Sequence, residues 1–371
     1  MKILVTYASA GTGHFKAAEA IYGYLRFQDE DIQLKLIDVL QKSNILFRNI
    51  YTHGYAFSVS NLRPLWALGF WITYIKLFKI VIKWLRFIIN RLNTKNFATF
   101  LIKEQPDFII STHFLPSEIS SYLKRKQKLN SKLVTVITDF GIHPFWLADG
   151  TDIYIVATDI TKQQLILEGI REDRIKVLGI PTESKFLERY NKNALFEKFR
   201  LDEDKFTVLI TTGSFGIGPI EEIVDLLYKD VQVLAVCAHN RRLYKILKNK
   251  NYLNLKVFGY IDNIEELMAI SDIIITKPGG LTISESLVMN LLPVFICAIP
   301  GQETQNIKIL AHYGIGMYPK DIAAIKKIVI DYKEHPDKIR SIKENIAKIK
   351  SPNASREIWN VICQGSIGST C

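Results

Sequence analysis

The strongest constraint on how this chain folds is a repeated alternation of short apolar runs with segments of helical spacing. In the first half, apolar runs of buried-strand length occupy positions 2–7, 32–39, 108–112, 133–138 and 153–157. Residues 15–26 show helical spacing through Ala18, Ile21 and Leu25. Because parallel strands need long crossover connections, usually helices, this rhythm predicts a parallel, doubly wound α/β sheet.

The same rhythm starts again in the second half, which indicates two domains. After a charged stretch at 183–205, new apolar runs occupy 206–211, 231–237, 255–258, 273–275 and 293–297. A length of 371 residues suits two α/β domains of roughly 100–200 residues each. We place the boundary near 185–203 and predict domains at 1–190 and 191–371. The tail at 321–362 has a helical pattern, and its last helix could also pack back on the first domain.

The net charge of +11 is concentrated in one segment. No Asp or Glu occurs from Val39 to Lys103, whereas ten basic side chains do. Such a charge suits nucleic acid, an anionic membrane or a phosphate-bearing ligand. Nucleic acid is disfavoured as a partner because the chain carries no recognisable reader motif.

Residues 65–90 predict a helix that lies on a membrane rather than one that crosses it. Four cations interrupt the apolar run, and each costs ~2.5–3.5 kcal/mol at a bilayer centre. Their spacing puts them on one stripe of a helix, while Trp71 and other apolar residues fill the rest. The four are Lys76, Lys79, Lys83 and Arg86. A helix packed on the domain core, with its basic face in water, remains the alternative.

The N-terminus and the cysteines favour a cytoplasmic protein with reduced thiols. The apolar run at 2–7 is too short for a secretory signal core, and no cleavage-site pattern follows it. Cys237, Cys297, Cys363 and Cys371 form no CxxC pair. This spacing argues against a zinc site and against a disulfide framework.

Three glycine turns follow predicted strands, where free N–H groups at a helix start can bind an anion. They are Gly11-Thr12-Gly13-His14, Thr212-Gly213-Ser214-Phe215-Gly216-Ile217-Gly218 and Lys277-Pro278-Gly279-Gly280. Lys16 stands where a dinucleotide fingerprint has its third glycine, so a nicotinamide or flavin cofactor is disfavoured. A purely structural turn remains open for the first loop, as does a capping box for Thr282 and Glu285.

These turns belong to a longer series of motifs that resembles glycosyltransferase family 28. The resemblance is to the branch of monogalactosyldiacylglycerol synthases and diacylglycerol glucosyltransferases, and it spans most of the chain. It is carried by Gly11-Thr12-Gly13-His14, Thr138-Asp139-Phe140, His143-Pro144-Phe145-Trp146, Gly179-Ile180-Pro181, Lys277-Pro278-Gly279-Gly280-Leu281-Thr282 with Glu285, and Ile299-Pro300-Gly301-Gln302-Glu303 with Asn306. The chain departs from the family at Thr12 and at Ala238, where glycine is common, and in the order of Pro278-Gly279-Gly280.

The resemblance implies the GT-B architecture, with two Rossmann-like domains facing a cleft. It assigns UDP-sugar to 191–371, the acceptor lipid and membrane to 1–190, and an inverting transfer without metal or other cofactor. Glu285 would hold the ribose, Gln302 and Glu303 the hexose, and the backbone near Tyr260 the uracil. The implied donor-site residues are Gly13, Gly213, Ser214, Tyr260, Lys277, Gly279, Gly280, Thr282, Glu285, Gln302, Glu303 and Asn306.

Inversion needs a base that takes a proton from the acceptor hydroxyl. His14 is the candidate, and Asp139 could serve as base or as the group that orients it. An unperturbed histidine would titrate around pH 6–7. The structural alternatives are a capping or exposed histidine and an Asx turn at Asp139.

Two further residues could border the lipid entrance. His143 and Trp146 follow the Asp139 turn, and an indole suits a membrane interface. Packing of Trp146 on the core is the alternative, and His113 could line the same cleft.

The resemblance therefore implies transfer of glucose or galactose from UDP-glucose or UDP-galactose to 1,2-diacylglycerol. The expected location is the inner face of the cell membrane, with anionic lipids as partners. Two alternatives remain: transfer of N-acetylglucosamine to a cell-wall lipid precursor, and a non-catalytic UDP-sugar sensor at the membrane.

Overall fold

The computed structural model describes residues 1–9, 11–54, 63–73, 75–214, 216 and 218–365. The chain forms two compact units. Unit 1 contains Met1–Ser184, Ile299–Gln305 and the chain from Ser351 onward, and unit 2 contains Lys185–Ala298 and Asn306–Lys350. The chain therefore leaves unit 1 at the start of the charged stretch and returns to it twice.

Unit 1 is built on six parallel strands. They are β1 (Lys2–Tyr7), β2 (Gln33–Asp38), β3 (Phe108–Ser111), β4 (Lys132–Val136), β5 (Ile153–Val156) and β6 (Ile175–Val177), in the order β2-β1-β3-β4-β5-β6. The strand order reverses between β1 and β3. Such a reversal opens a crevice at the carboxyl ends of the strands, where ligands of α/β proteins bind.

Helices cover both faces of this sheet. They are α1 (Thr12–Leu25), α2 (Ile45–Asn49), α3 (Arg63–Ile72), α4 (Lys76–Asn93), α5 (Lys95–Glu104), α6 (Phe114–Arg125) and α7 (Asp159–Leu167). Short 3₁₀ helices occupy Val39–Lys42, Pro144–Trp146 and Glu172–Arg174, and Ile50–Gly54 is a π-helical turn. One core packs α1 on the sheet, and a second packs α5 and α6 on the opposite face.

Unit 2 repeats the architecture with five parallel strands. They are β7 (Thr207–Thr211), β8 (Gln232–Val236), β9 (Leu255–Phe258), β10 (Ile273–Thr276) and β11 (Leu292–Phe295), in the order β11-β10-β7-β8-β9. The strand order reverses between β7 and β10. Thr211 and Thr276 pair in register, so the two strands end side by side at that reversal.

The helices of unit 2 also cover both sheet faces. They are α8 (Lys192–Phe199), α9 (Ile220–Leu227), α10 (Arg241–Asn249), α11 (Ile264–Ala269), α12 (Gly280–Val288), α14 (Ile322–Glu334) and α15 (Pro336–Ile349), with a 3₁₀ turn at Ser184–Leu187. Helix α13 (Gln302–His312) begins in unit 1 and continues in unit 2. The predicted rhythm of strands and helices is thus present in both halves.

The last helix, α16 (Ala354–Gly365), belongs to unit 1. Its residues Ile358, Trp359 and Ile362 are buried in the same core as Ile21 and Leu25 of α1. A segment more than 300 residues along the chain thereby completes one face of the first sheet.

We expect Ile358→Ala to lower the free energy of unfolding by about 2–5 kcal/mol, because it leaves a cavity between α16 and α1. Urea unfolding followed by circular dichroism measures the change. Asn360→Ala, on the exposed face of the same helix, is the matched control and should stay within about 0.5 kcal/mol of wild type. Equal effects of the two substitutions would contradict this packing.

Candidate active site

His14 lies at the strand-order reversal of unit 1. Helix α1 already begins at Thr12, which makes Gly13 and His14 its second and third residues. The His14 ring nitrogen Nδ1 is 2.9 Å from the carbonyl oxygen of Thr112, just after β3. It is 2.8 Å from the hydroxyl oxygen of Thr138, two residues after β4. Residues at the ends of two strands, β3 and β4, thus hold one imidazole.

His14 is neutral at physiological pH. Burial lowers its pKa to about 4, and the hydrogen bond to Thr112 offsets only part of that shift. The perpendicular ring of His113 lies 4.6 Å away, and burial also lowers the pKa of His113. The range of pH 6–7 expected for an unperturbed histidine therefore does not apply to His14, because desolvation disfavours the imidazolium.

Asp139 contacts a residue that was assigned to the donor sugar. Its buried carboxylate accepts a hydrogen bond from the amide nitrogen of Gln302, and both residues belong to unit 1. Glu303 accepts a hydrogen bond from the Ile299 N–H at 2.6 Å, which fixes the loop before α13. Asp139 and Gln302 thus lie together, as two members of the predicted site.

Trp146 does not lie at an interface. Only 3% of it is exposed, and it packs in the core beside the rings of His14, His113 and Phe114. Of the two alternatives for Trp146, packing on the core is the one observed, since the short helix Pro144–Trp146 turns the indole inward. A place beside the lipid entrance stays a prediction. His143 is half-buried, and its Nε2 lies 2.9 Å from the hydroxyl of Thr73.

Arg86 does not belong to a solvent-facing basic stripe. Its guanidinium donates to Glu118 at 2.6 Å and lies over the ring of Phe145, 4.0 Å from the centroid. Asn90 donates to the other oxygen of the same carboxylate at 2.7 Å. The membrane role predicted for Arg86 is wrong, because a cation that is mostly buried needs this carboxylate and cannot reach a lipid.

Helix α4 exposes the apolar face that the sequence predicted for this segment, while the predicted basic stripe is described only in part. The exposed large residues on this helix share one face: Val81, Trp84, Leu85, Ile89 and Leu92. Lys83 pairs with Asp149 at 3.5 Å, and the side chains of Lys76 and Lys79 lie outside the described part of the chain. Trp71 on α3 is also exposed. Of the helices that the structure describes, none combines the length and apolar character needed to cross a bilayer.

In unit 2, the start of α12 forms an anion-binding geometry beside β10. The helix begins at Gly280, its cap is Gly279, and no side chain caps it. A capping box of Thr282 and Glu285 is therefore absent, since Thr282 already lies inside the first turn. The first N–H groups of the helix have no intrahelical acceptor and carry the positive end of its dipole.

Asn306 holds the turn Lys277-Pro278-Gly279-Gly280 by a hydrogen bond. Its buried amide donates to the carbonyl oxygen of Pro278 at 3.0 Å. Lys277 begins this turn in the sequence and Glu285 follows it, and both residues are half-buried. The structure therefore gives Asn306 a positioning contact, and keeps Lys277 and Glu285 partly accessible.

Two hydroxyls at the strand-order reversal of unit 2 have no hydrogen-bond partner among the described residues. They belong to Thr212, after β7, and Thr276, at the end of β10, and both are buried. A buried hydroxyl without a partner costs about 1–3 kcal/mol. The carboxyl ends of these two strands therefore offer polar groups that a ligand could satisfy.

The loop after β7 needs its glycines. Gly213 and Gly216 have φ of 77° and 58°, and a side chain on Gly216 would meet the Cys237 carbonyl at 2.1 Å. The amide of Asn240 donates to the Gly216 carbonyl at 3.0 Å, while its oxygen caps α10. Ser214 is half-buried in this loop, and Phe215 and Ile217 lie outside the described residues.

Tyr260 has an aromatic partner that sequence reasoning missed. Its ring is 55% exposed and stacks on His239 at 4.4 Å between centroids. The backbone N–H of His239 donates to the Ser214 carbonyl at 3.3 Å, which ties the stack to the glycine loop. Stacked rings of this kind can bind the face of a nucleobase. The one sequence signal for a role of His239 in the site is its position shortly after strand β8.

The described residues form neither a candidate metal site nor a disulfide. No group of three or more His, Cys, Asp or Glu side chains in residues 1–9, 11–54, 63–73, 75–214, 216 and 218–365 could hold a metal ion. Among the described residues, Cys237, Cys297 and Cys363 are not joined in a disulfide, and Cys371 lies outside the described residues.

Consecutive stretches of the chain match two described protein families. Residues 14–182 match the family of monogalactosyldiacylglycerol (MGDG) synthase, and residues 207–357 match the glycosyltransferase family 28 C-terminal domain. A processive diacylglycerol beta-glucosyltransferase of Bacillus licheniformis is 30% identical, covering 98% of this chain and 95% of that protein. The Staphylococcus aureus protein of the same name is 32% identical, covering 85% and 80%.

A solved structure with low sequence identity shares the fold. MurG of Acinetobacter baumannii superposes with a TM-score of 0.61 at 12% identity, covering 98% of this chain and 99% of that chain. The predicted GT-B class of two parallel-sheet domains is confirmed.

Proposed function

Because the chain belongs to glycosyltransferase family 28, in the branch of MGDG synthases and diacylglycerol glucosyltransferases, we propose that it transfers a hexose from a UDP-sugar to 1,2-diacylglycerol. The observation that carries the chemistry is the neutral imidazole of His14, held at the strand-order reversal of unit 1. Glucose is the proposed sugar, since the relatives in Bacillus licheniformis and Staphylococcus aureus are both named glucosyltransferases.

Unit 2 supplies the groups that the donor requires. The N-terminus of α12 and the hydroxyls of Thr212 and Thr276 would bind the diphosphate, since anions favour helix N-termini. The stack of Tyr260 and His239 would bind the uracil, and Glu285 the ribose hydroxyls. The proposal includes no metal, because these N–H and O–H donors would stabilise the leaving diphosphate themselves.

The reaction would be a single displacement. The acceptor oxygen forms a bond to the anomeric carbon, the bond from that carbon to UDP breaks, and His14 takes the hydroxyl proton. Asp139 would act by holding Gln302, because its carboxylate already accepts the Gln302 amide. His14 rather than Asp139 is therefore the proposed base.

We expect His14→Ala to lower turnover of diacylglycerol and UDP-glucose by about 100-fold or more, as for loss of a positioned base. UDP affinity should not change. Radiolabelled transfer to diacylglycerol, followed by lipid chromatography, measures the rate. Since His14 acts as a base only when neutral and its pKa is about 4, wild-type turnover should stay flat through pH 6–7 and fall only on approach to pH 4.

The control for this experiment is His312→Ala, an exposed histidine of α13 that should keep wild-type turnover. Near-normal turnover by His14→Ala would remove it as the base. Failure of the wild type to transfer any UDP-sugar to diacylglycerol would favour the cell-wall precursor or the sensor alternative.

We expect Glu285→Ala to weaken UDP binding by about 1–3 kcal/mol, because a charged hydrogen bond to the ribose would be lost. Isothermal titration calorimetry measures this loss. Glu222→Ala removes an exposed carboxylate from α9 of the same unit and serves as the control. Equal UDP affinity in both variants would exclude Glu285 from the nucleotide site.

Membrane docking forms the second part of the proposal, with the exposed apolar face of α4 inserted among the lipids. Burying one large apolar side chain contributes about 1.5–3 kcal/mol, and each nearby cation adds about 1 kcal/mol on an anionic leaflet. The N–H of Asn44 donates to the carbonyl of Asn93 at 2.9 Å, so α2 starts beside the end of α4. Helix α2 adds exposed Ile45 and Leu46.

We expect Trp84→Ser combined with Ile89→Ser to reduce co-sedimentation with anionic vesicles while UDP affinity is retained, because both apolar side chains lie on the exposed face of α4. Leu167→Ser combined with Leu253→Ser removes two even more exposed apolar side chains elsewhere and is the control. Charge reversal at Arg86 is avoided because it would break the buried pair with Glu118. Unchanged sedimentation of the α4 variant would contradict docking through this face.

A further inference from the structure

We infer that Thr138 is a positioning residue for His14, which together with the carbonyl of Thr112 keeps the imidazole protonated on Nδ1 and leaves the lone pair on Nε2. This inference rests on the proposed function, in which His14 accepts the proton of the acceptor hydroxyl. It goes further by naming the nitrogen that takes the proton and the groups that select it.

The partner of Nδ1 determines the tautomer. A carbonyl oxygen can only accept a hydrogen bond, so the 2.9 Å contact between Nδ1 and the Thr112 oxygen requires a hydrogen on Nδ1. In a neutral imidazole the other nitrogen then carries the lone pair. Nε2 of His14 is therefore the basic atom.

Thr138 adds a second oxygen to the same hydrogen. Its hydroxyl oxygen lies 2.8 Å from Nδ1, and the side chain is almost fully buried. Since Nδ1 carries one hydrogen, the hydroxyl shares it as an acceptor alongside the Thr112 carbonyl. When Nε2 takes a proton, positive charge spreads over the ring, and both oxygens stabilise it without a carboxylate.

Thr112 also holds the backbone of His14. Its hydroxyl donates to the carbonyl oxygen of His14 at 2.8 Å, so the ring and the main chain are both tied to the residue after β3. Thr112 is fully buried, which limits rotation of the side chain that makes this contact. The orientation of the His14 ring is therefore set by a residue at the end of a sheet strand.

His113 has the opposite tautomer to His14. Its Nδ1 accepts a hydrogen bond from the Leu115 N–H at 3.0 Å, so the lone pair is on Nδ1 and the hydrogen of the neutral ring on Nε2. Two adjacent neutral histidines thus hold opposite tautomers. Only His14 presents a basic Nε2.

Three variants test the role of the Thr138 hydroxyl. Thr138→Val removes the hydroxyl at constant shape and should lower kcat about five- to tenfold, the effect of one lost hydrogen bond to a charged ring. UDP affinity and KM should stay within twofold. Thr138→Ser keeps the hydroxyl and should restore kcat. Thr135→Val removes a buried hydroxyl of β4 that bonds Ser117 and Thr151, and should keep wild-type kcat.

Nitrogen-15 NMR of histidine-labelled wild-type protein tests the tautomer directly, with the His14 signals assigned by their loss in His14→Gln. At pH 7 the His14 signals should report a protonated Nδ1 and an unprotonated Nε2. In Thr138→Val the titration of His14 should move about half a unit to one unit lower, because the imidazolium loses more stabilisation than the neutral ring.

A protonated Nε2 in the wild type, or wild-type kcat in Thr138→Val, would overturn the inference. Loss of activity in His14→Ala together with full activity in Thr138→Val would refute only this inference. Full activity in His14→Ala would instead refute the base assignment in the proposed function. The wild-type spectrum decides the tautomer even if Thr138→Val fails to fold.

Discussion

The hydrogen bond from the His14 ring to the end of β3 is the interaction on which the proposed chemistry depends. It exists because β1 and β3 are parallel neighbours at a reversal of strand order, so that the residues following them meet at one edge of the sheet. Unit 2 uses the same topology between β7 and β10, where the hydroxyls of Thr212 and Thr276 find no hydrogen-bond partner in the part of the chain that the structure describes. One topology thus holds the His14 imidazole at a sheet edge in unit 1 and places two polar hydroxyls at the corresponding edge of unit 2.

Burial of this base has two physical consequences. Desolvation keeps His14 neutral, so the basic form is fully populated at physiological pH. The same desolvation makes the imidazolium unfavourable once it forms, and oxygen atoms beside Nδ1 offset part of that cost. A carbonyl and a hydroxyl take the place that a carboxylate holds in other histidine-dependent sites.

Sequence patterns predicted the sheet far better than they predicted the orientation of side chains. Apolar runs located most strands, whereas β6 was missed because it is three residues long and carries the exposed Lys176. Spacing put Arg86 on a basic stripe, but periodicity cannot say which side of a helix faces the core, and Glu118 draws Arg86 inward. His14 and Thr138 are 124 positions apart, so their contact depends on tertiary structure that no local pattern encodes. Ordered motifs predicted the family, whereas the contacts of His14 with Thr112 and Thr138 are visible only in the folded structure.

The most direct test of the central claim is the anomeric configuration of the product made by the purified wild-type protein from UDP-α-glucose and diacylglycerol. A single displacement assisted by His14 must invert the anomeric carbon. Proton NMR of the isolated glycolipid should therefore show a β-glucosyl linkage to the diacylglycerol hydroxyl, with UDP released in equal amount per sugar transferred. An α-linked product, or release of UDP without glycolipid, would contradict the account.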